Sequence, residues 1–249
     1  MEMLTLTLKK FEEVADGTRM FTFSRPDGFD FKAGQYVALR FAPERLVEPD
    51  VRGGVRSFSI ASAPCEGDLC FVMREGITGF KKTMWDLKEG DTVACTPAVG
   101  HCTVPEADGK AIVILSGGVG IAPARAMVRD AVDRNDTRGY YLFYSNREMK
   151  DAAFHEDMKA VTLENFHYIY TLTSAEGATT EQGEERGYIT ADMIRRHLPD
   201  MALAHYYVIG APAFADAMKV MLLAAGIAES EIKIDPFTGL TGPATAGNK

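Results

Sequence analysis

The stretch Ala111 to Met127, AIVILSGGVGIAPARAM, constrains the fold more than any other part of the chain. The apolar run Ala111 to Leu115 is too short for an ordinary helix and is followed at once by glycine, so it reads as a strand buried on both faces. A helix follows from Ile121 to Asp133. Pro123 is tolerated in its first turn, where the amide it lacks has no intrahelical partner. Gly117, Gly118 and Gly120, with Val119 and Ile121 beside them, let the backbone bend sharply and approach a ligand. The open amides and dipole of a helix start favour a phosphate there. The outline is a nucleotide pyrophosphate site. The third glycine of the dinucleotide fingerprint is absent, so the turn alone does not separate a ligand site from a tight turn.

Beyond Gly109, strand and helix alternate. Strands are expected at 112–115, 140–144, 167–172, 206–209 and 232–234, and helices at 121–133, 152–162, 190–197 and 213–225. This predicts an α/β domain over residues 108–240 built on a doubly wound, five-stranded parallel sheet. Such a sheet binds ligands at the carboxyl ends of its strands, where Gly117 to Gly120, Ser145 to Arg147 and Gly210 to Pro212 fall. The polar segment Glu176 to Glu185 reads as a mobile loop, and 241–249 as a disordered tail.

Before Gly109 the apolar period is two, in short runs. Leu4, Leu6 and Leu8 alternate with threonines, Phe21 and Phe23 flank Thr22, and Val37, Leu39 and Phe41 alternate with Ala38 and Arg40. With further runs at 55–60, 69–73 and 91–96, glycine-rich turns between them predict a six-stranded antiparallel β-barrel over residues 1–107. One helical patch interrupts the barrel, Thr78 to Leu87, where Phe80, Met84 and Leu87 share a face and Thr78 can cap the start.

A net charge of −8 argues against a nucleic-acid or anionic-membrane binder. No signal peptide and no run of about 18 apolar residues is present, so a cytoplasmic protein is expected, monomer or homodimer, without a membrane partner. Cys65, Cys70, Cys95 and Cys102 fit neither a C-x-x-C pair nor plant-type iron-sulfur spacing, and the five histidines show no ligand spacing. Neither a metal site nor an iron-sulfur cluster is expected. Ser59 and Ser116 lack a placed histidine and carboxylate, which leaves a hydrolase without support.

Arg56-Ser57-Phe58-Ser59 in a barrel strand, followed by Gly117 to Pro123 at the start of the parallel half, resembles the ferredoxin-NADP reductase family. Gly34-Gln35-Tyr36, Lys88-Glu89-Gly90-Asp91 and Gly210-Ala211-Pro212 agree in order, so the resemblance runs from Met3 to about Leu240. It implies that Arg56 to Ala61 (Arg56, Ser57, Phe58, Ser59, Ile60, Ala61) hold FAD and that Gly117 to Pro123 hold NADP or NAD. The Arg56 guanidinium suits a diphosphate, and Phe58 can lie on the isoalloxazine or belong to the core. The resemblance places the Ser59 hydroxyl near the redox-active nitrogen, which in strand geometry requires a bulge or strand end. Thr78, Gly79, Phe80 and Lys81 resemble a second phosphate-binding element, with an ordinary N-cap as the alternative; two such elements favour FAD over FMN.

Ser145, Asn146 and Arg147 suit the adenosine end, where Ser145 and Arg147 match a 2′-phosphate and Glu148 a free ribose diol. The preference is NADP. Gly210, Ala211 and Pro212 stand where the family has C-G-P-P, but Ile209 replaces the cysteine. Phe237 resembles the aromatic residue that covers the flavin, or it closes the core. The implied activity is an NAD(P)H-dependent flavoprotein reductase in which Ser59 and Phe237 attend the hydride step and electrons leave to a separate small carrier such as ferredoxin or flavodoxin. Alternatives are an oxygenase reductase component, a flavin or ferric reductase, and a non-catalytic electron-transfer subunit.

Overall fold

The computed structural model describes residues 3–174 and 184–237. Its first half is a six-stranded antiparallel sheet of β1 (Leu4–Ala15), β2 (Thr18–Ser24), β3 (Tyr36–Arg40), β4 (Val55–Ser59), β5 (Asp68–Arg74) and β6 (Thr92–Cys95), in the order β4-β3-β6-β1-β2-β5. The edges meet: the Ala61 amide, just past β4, donates to the Cys70 carbonyl of β5 at 2.8 Å. Leu6, Leu8, Phe21, Phe23, Val37, Leu39, Phe71 and Val93 fill the interior, as alternation requires. Helix α1 (Gly79–Trp85) closes one end, with Thr78 as N-cap and Phe80 and Met84 in the core.

The second half is a parallel sheet of β7 (Ala111–Gly117), β8 (Tyr140–Asn146), β9 (Phe166–Leu172), β10 (Glu184–Arg186), β11 (Ala204–Gly210) and β12 (Ile232–Pro236), ordered β10-β9-β8-β7-β11-β12. Ile112 and Ile114 face one cluster with α2 (Ile121–Asp133) and α3 (His155–Lys159). Val113 and Leu115 face the other with α4 (Ala191–His197) and α5 (Pro212–Ala224). Burial on both faces explains the unbroken apolar run. The barrel rests on the α2 face, where Ala33, Ala61 and Val72 join the same cluster as Ile121 and Met127.

The sheet therefore has six strands, not five. The addition is β10, whose Glu184 and Glu185 fall in the segment expected to be a loop; it pairs with β9 at the edge of the sheet, and neither its length nor its charge carries a strand signal. Residues 176–183 of that segment, and the tail 241–249, lie outside the described residues. The helix expected over 152–162 is also shorter. Phe154 takes a left-handed conformation, φ 58°, so α3 begins only at His155. No helix among the described residues is long and apolar enough to cross a membrane.

Candidate active site

A cleft of about 400 Å³ opens where the two sheets meet. Arg56, Ser57, Phe58 and Ser59 of β4 line it together with Thr78, Phe80 and Lys81 at the start of α1, Val119 of the glycine turn, and Phe237 beyond β12. Residues 180 positions apart in the chain are thereby placed in one concavity. The β4 strand ends at Ser59, and the end frees its hydroxyl to donate to Asp235 Oδ2 across the seam at 3.4 Å. Burial pushes the Asp235 carboxyl above its ordinary value, with the Ser59 bond partly opposing.

Arg56 is held by a set of contacts that its own motif does not reveal. Nη1 donates to the carbonyls of Arg52, Gly53 and Val55 at 3.1, 2.8 and 2.7 Å, and Nη2 donates to Asp50 Oδ1 at 2.7 Å. Asp50 also accepts from the amides of Phe80 and Arg52, both at 2.9 Å, and its side chain is only 1% exposed. Burial alone would raise its pKa; the two amides and the Arg56 guanidinium outweigh that and hold it below the usual range. Charge-assisted bonds to a buried carboxylate are strong, so Asp50 fixes the loop, Arg56 and the start of α1 in one frame. The α1 amides thus differ from the expectation of an open phosphate cradle: Phe80 donates to Asp50, and Lys81 to the Thr78 hydroxyl at 3.4 Å.

Phe58 stands between the cleft and the barrel core. Its ring lines the cleft and also packs on the barrel core, stacked on Phe80 at 5.8 Å and edge-on to Phe71 at 6.1 Å. Phe237 does likewise, lining the cleft while packing on the α2 cluster, its amide bound to the Gly210 carbonyl at 2.8 Å. Ile60, Ala61, Ile121 and Pro123 are buried behind the cleft, not on its wall.

The glycines divide into two kinds. Gly118 has φ +54° and open space where a side chain would stand. At Gly120 a Cβ would lie 2.4 Å from the Ile209 carbonyl oxygen, and Gly117 and Gly210 face the Phe214 ring at 3.0 and 2.8 Å. Those three are demanded by packing of the turn against β11 and α5. A Cβ at Gly79 would meet the Glu48 carbonyl at 2.2 Å, so it too is set by the neighbouring loop. Ile209 is fully buried in the α2 cluster and offers the site no polar group.

Ser145, Asn146 and Arg147 stand at the carboxyl end of β8, outside the cleft, with Ser145 next to Gly117 across the strand pair. Asn146 is buried, whereas Arg147 is exposed. The Glu148 carboxylate caps the turn that follows and pairs with Lys150 at 3.0 Å. Ala211 and Pro212 begin α5 beyond Gly210, again away from the cleft wall. Besides Arg56 and Lys81, the cleft is lined by Arg52 and Arg74, with Asp235 its only carboxylate among the lining residues. This basic patch, like Asp50, was not legible in the overall charge.

The sequence model of the oxidoreductase NAD-binding domain matches residues 114–219. A ferredoxin NADP+ reductase from Neisseria gonorrhoeae, solved with bound FAD and NADP, superposes with a TM-score of 0.77 at 21% identity, over 95% of this chain and 99% of that one. The chain thus shares the fold of that reductase, with the match to the NAD-binding domain lying in its second half. Among its curated relatives is the reductase component of the naphthalene 1,2-dioxygenase/salicylate 5-hydroxylase systems of a Ralstonia species, 24% identical over 93% of this chain and 68% of the relative. Another is the propane 2-monooxygenase reductase component of Mycolicibacterium goodii, 28% identical over 86% of this chain and 61% of the relative. This chain spans about two thirds of the length of those relatives.

Proposed function

We propose that this chain is an NAD(P)H-dependent flavoprotein reductase that takes a hydride from the nicotinamide onto FAD in the cleft and passes electrons to a separate carrier protein. The observation that carries it is the single cleft in which the Arg56 strand, the Val119 turn and the Ser59–Asp235 contact meet. The residues present fit a flavin dinucleotide. Arg56 keeps its Nε hydrogen and one Nη2 hydrogen for a phosphate, Lys81 adds an ammonium, and Phe58 and Phe237 supply apolar faces for a ring. The flavin, when bound, supplies the redox chemistry, taking a proton and two electrons together from the dihydronicotinamide.

The chain's own part is positional and electrostatic. Asp50 fixes the Arg56 fork, Gly118 leaves room above the turn for a nucleotide, and the apolar walls exclude water. Asp235, whose carboxyl burial pushes above its ordinary value, accepts a hydrogen bond from the Ser59 hydroxyl at the seam. Arg147 is exposed while Glu148 is engaged as a cap, which supports NADPH over NADH because a 2′-phosphate needs the cation and a ribose diol the free carboxylate.

The acceptor is proposed to be the small carrier of an oxygenase system, since the curated relatives are reductase components of dioxygenase and monooxygenase systems. Anaerobic mixing of the FAD-loaded chain with NADPH or NADH tests all of this. Loss of the oxidised flavin's visible absorption, faster with NADPH at equal concentration, is the expected result. A chain that takes up no flavin defeats the proposal.

A further inference from the structure

One buried cation bridges the two halves beside the cleft. Arg125, four residues after Ile121 in α2, is 9% exposed. Its Nη1 donates to the Ala61 carbonyl at 2.9 Å and to Glu66 Oε2 at 2.8 Å, and Nη2 donates to Glu66 Oε1 at 2.9 Å. Nε donates to Asp157 Oδ2 of α3 at 2.7 Å, and the guanidinium stands 5.3 Å over the Phe154 ring. The barrel end of this bridge is itself rigid: Glu66 accepts the Ala63 amide at 2.7 Å, and the Ala61 amide is tied to Cys70 of β5 at 2.8 Å. On the other side, Asp157 is shared with Arg129.

We propose that Arg125 is a positioning residue for hydride transfer, clamping the Ala61–Glu66 turn of the barrel to α2 and α3 and so setting the separation of the two ring-binding sites. The inference rests on the reductase function proposed above. Its force is in the short levers. Ala61 is two residues beyond Ser59, roughly 7 Å of extended chain, and Arg125 is one helical turn beyond Ile121, about 6 Å along the axis. A displacement of the clamp is therefore transmitted almost undiminished to both sites. Hydride transfer tolerates little of it, since a misplacement of about 1 Å can cost on the order of a hundredfold in rate.

Other polar contacts also cross the seam, among them the Asp16 amide to the Lys150 carbonyl at 2.9 Å and Lys233 to the Thr103 carbonyl at 2.7 Å, but two of those that line or flank the cleft are weak. Arg74–Asp151 is a solvent-exposed pair with the arginine side chain 58% exposed, and the Ser59–Asp235 bond is long at 3.4 Å. An arginine is required because one planar fork serves a carbonyl and two carboxylates at once, which the compact ammonium of lysine does not reproduce.

The test compares Arg125→Met and Glu66→Gln with the wild-type FAD-loaded protein in four measurements: the anaerobic flavin reduction rate at saturating NADPH, the dissociation constants for FAD and for NADP+, the long-wavelength charge-transfer absorbance of reduced flavin with NADP+, and Tm. Arg125→Met is expected to retain both dissociation constants within about twofold while the reduction rate falls at least about tenfold and the charge-transfer band weakens. Glu66→Gln keeps the shape, removes one charge and is expected to lie between the two; it also decides the matter if Arg125→Met does not fold. An unchanged rate in Glu66→Gln and in folded Arg125→Met, or a rate loss matched by weakened cofactor binding with the band intact, overturns the clamp. A wild-type protein that NADPH and NADH both fail to reduce overturns the reductase function instead, and the clamp's kinetic role with it.

Discussion

Asp235 shows how one side chain can report on the seam. Burial raises its pKa, so the folded protein holds the proton to higher pH than the unfolded chain does. A raised carboxyl contributes stability that is complete below its unfolded value, near 3.8, and is lost as pH rises through the folded value. Asp235→Asn removes that loss. The variant is expected to gain Tm relative to the wild type as pH rises from about 4 to about 7, the gap closing in acid. A Tm difference that is flat with pH would mean that Asp235 is solvated. Asp50 has the opposite sign. Its carboxyl is held low by the Phe80 and Arg52 amides and Arg56, so its contribution is present above about 4 and fades in acid. Asp50→Ala leaves Arg56 without its anchor and is expected to weaken FAD binding, while riboflavin, which lacks the diphosphate, binds unchanged. Fluorescence titration with both ligands separates the two effects.

At the level of the element, the glycine turn between β7 and α2 makes two separable demands. Gly118→Ala meets no neighbour but must adopt φ +54°, a strain of about 1–2 kcal/mol, and its methyl enters the space above the turn. It is expected to fold and to raise the NADPH dissociation constant. Gly120→Ala drives a Cβ against the Ile209 carbonyl and is expected to cost stability first, read as a lower Tm in the absence of nucleotide. Equal effects of the two variants on Tm would show that the positions are not so divided. The strand, turn and helix themselves were legible because double-sided burial writes a continuous apolar run, and the barrel because single-sided burial writes alternation. The Arg56 motif was legible as four adjacent residues. What was not legible depends on distant partners. Edge strand β10 has three charged residues and no face to declare. Asp50 sits in a turn-rich loop whose polar residues look solvated, and only the fold brings α1 onto it. Arg125 did leave a trace, since it follows Ile121 by four residues and precedes Val128 by three, on the buried face of α2.

On the scale of the whole molecule, the charge distribution matters more than its sum. A chain of net charge −8 still lines its cleft with Arg52, Arg56, Arg74 and Lys81, and the crowding shows in Lys81, whose pKa is lowered by burial and then by Arg74 and Arg56. With Arg56 and Lys81 taken by the flavin diphosphate, an acidic electron carrier of the kind proposed meets overall repulsion at long range and attraction only near Arg52 and Arg74 at the cleft rim. The Debye length, about 10 Å at 0.1 M salt, sets which of these dominates. At very low salt the net negative charge is felt and association is slowed; raising salt toward about 0.1 M screens that repulsion while sparing the close contacts, and still higher salt weakens the contacts too. The dependence of kcat/KM for an acidic carrier on ionic strength is therefore expected to pass through a maximum. Arg74→Ser removes a cation that is 58% exposed and is expected to lower that maximum by more than it lowers reduction of a small uncharged acceptor. A monotonic fall in the wild type from the lowest salt upward would place the docking surface where local attraction already outweighs the net charge, and an Arg74→Ser profile superposable on it would move the docking surface away from this cleft.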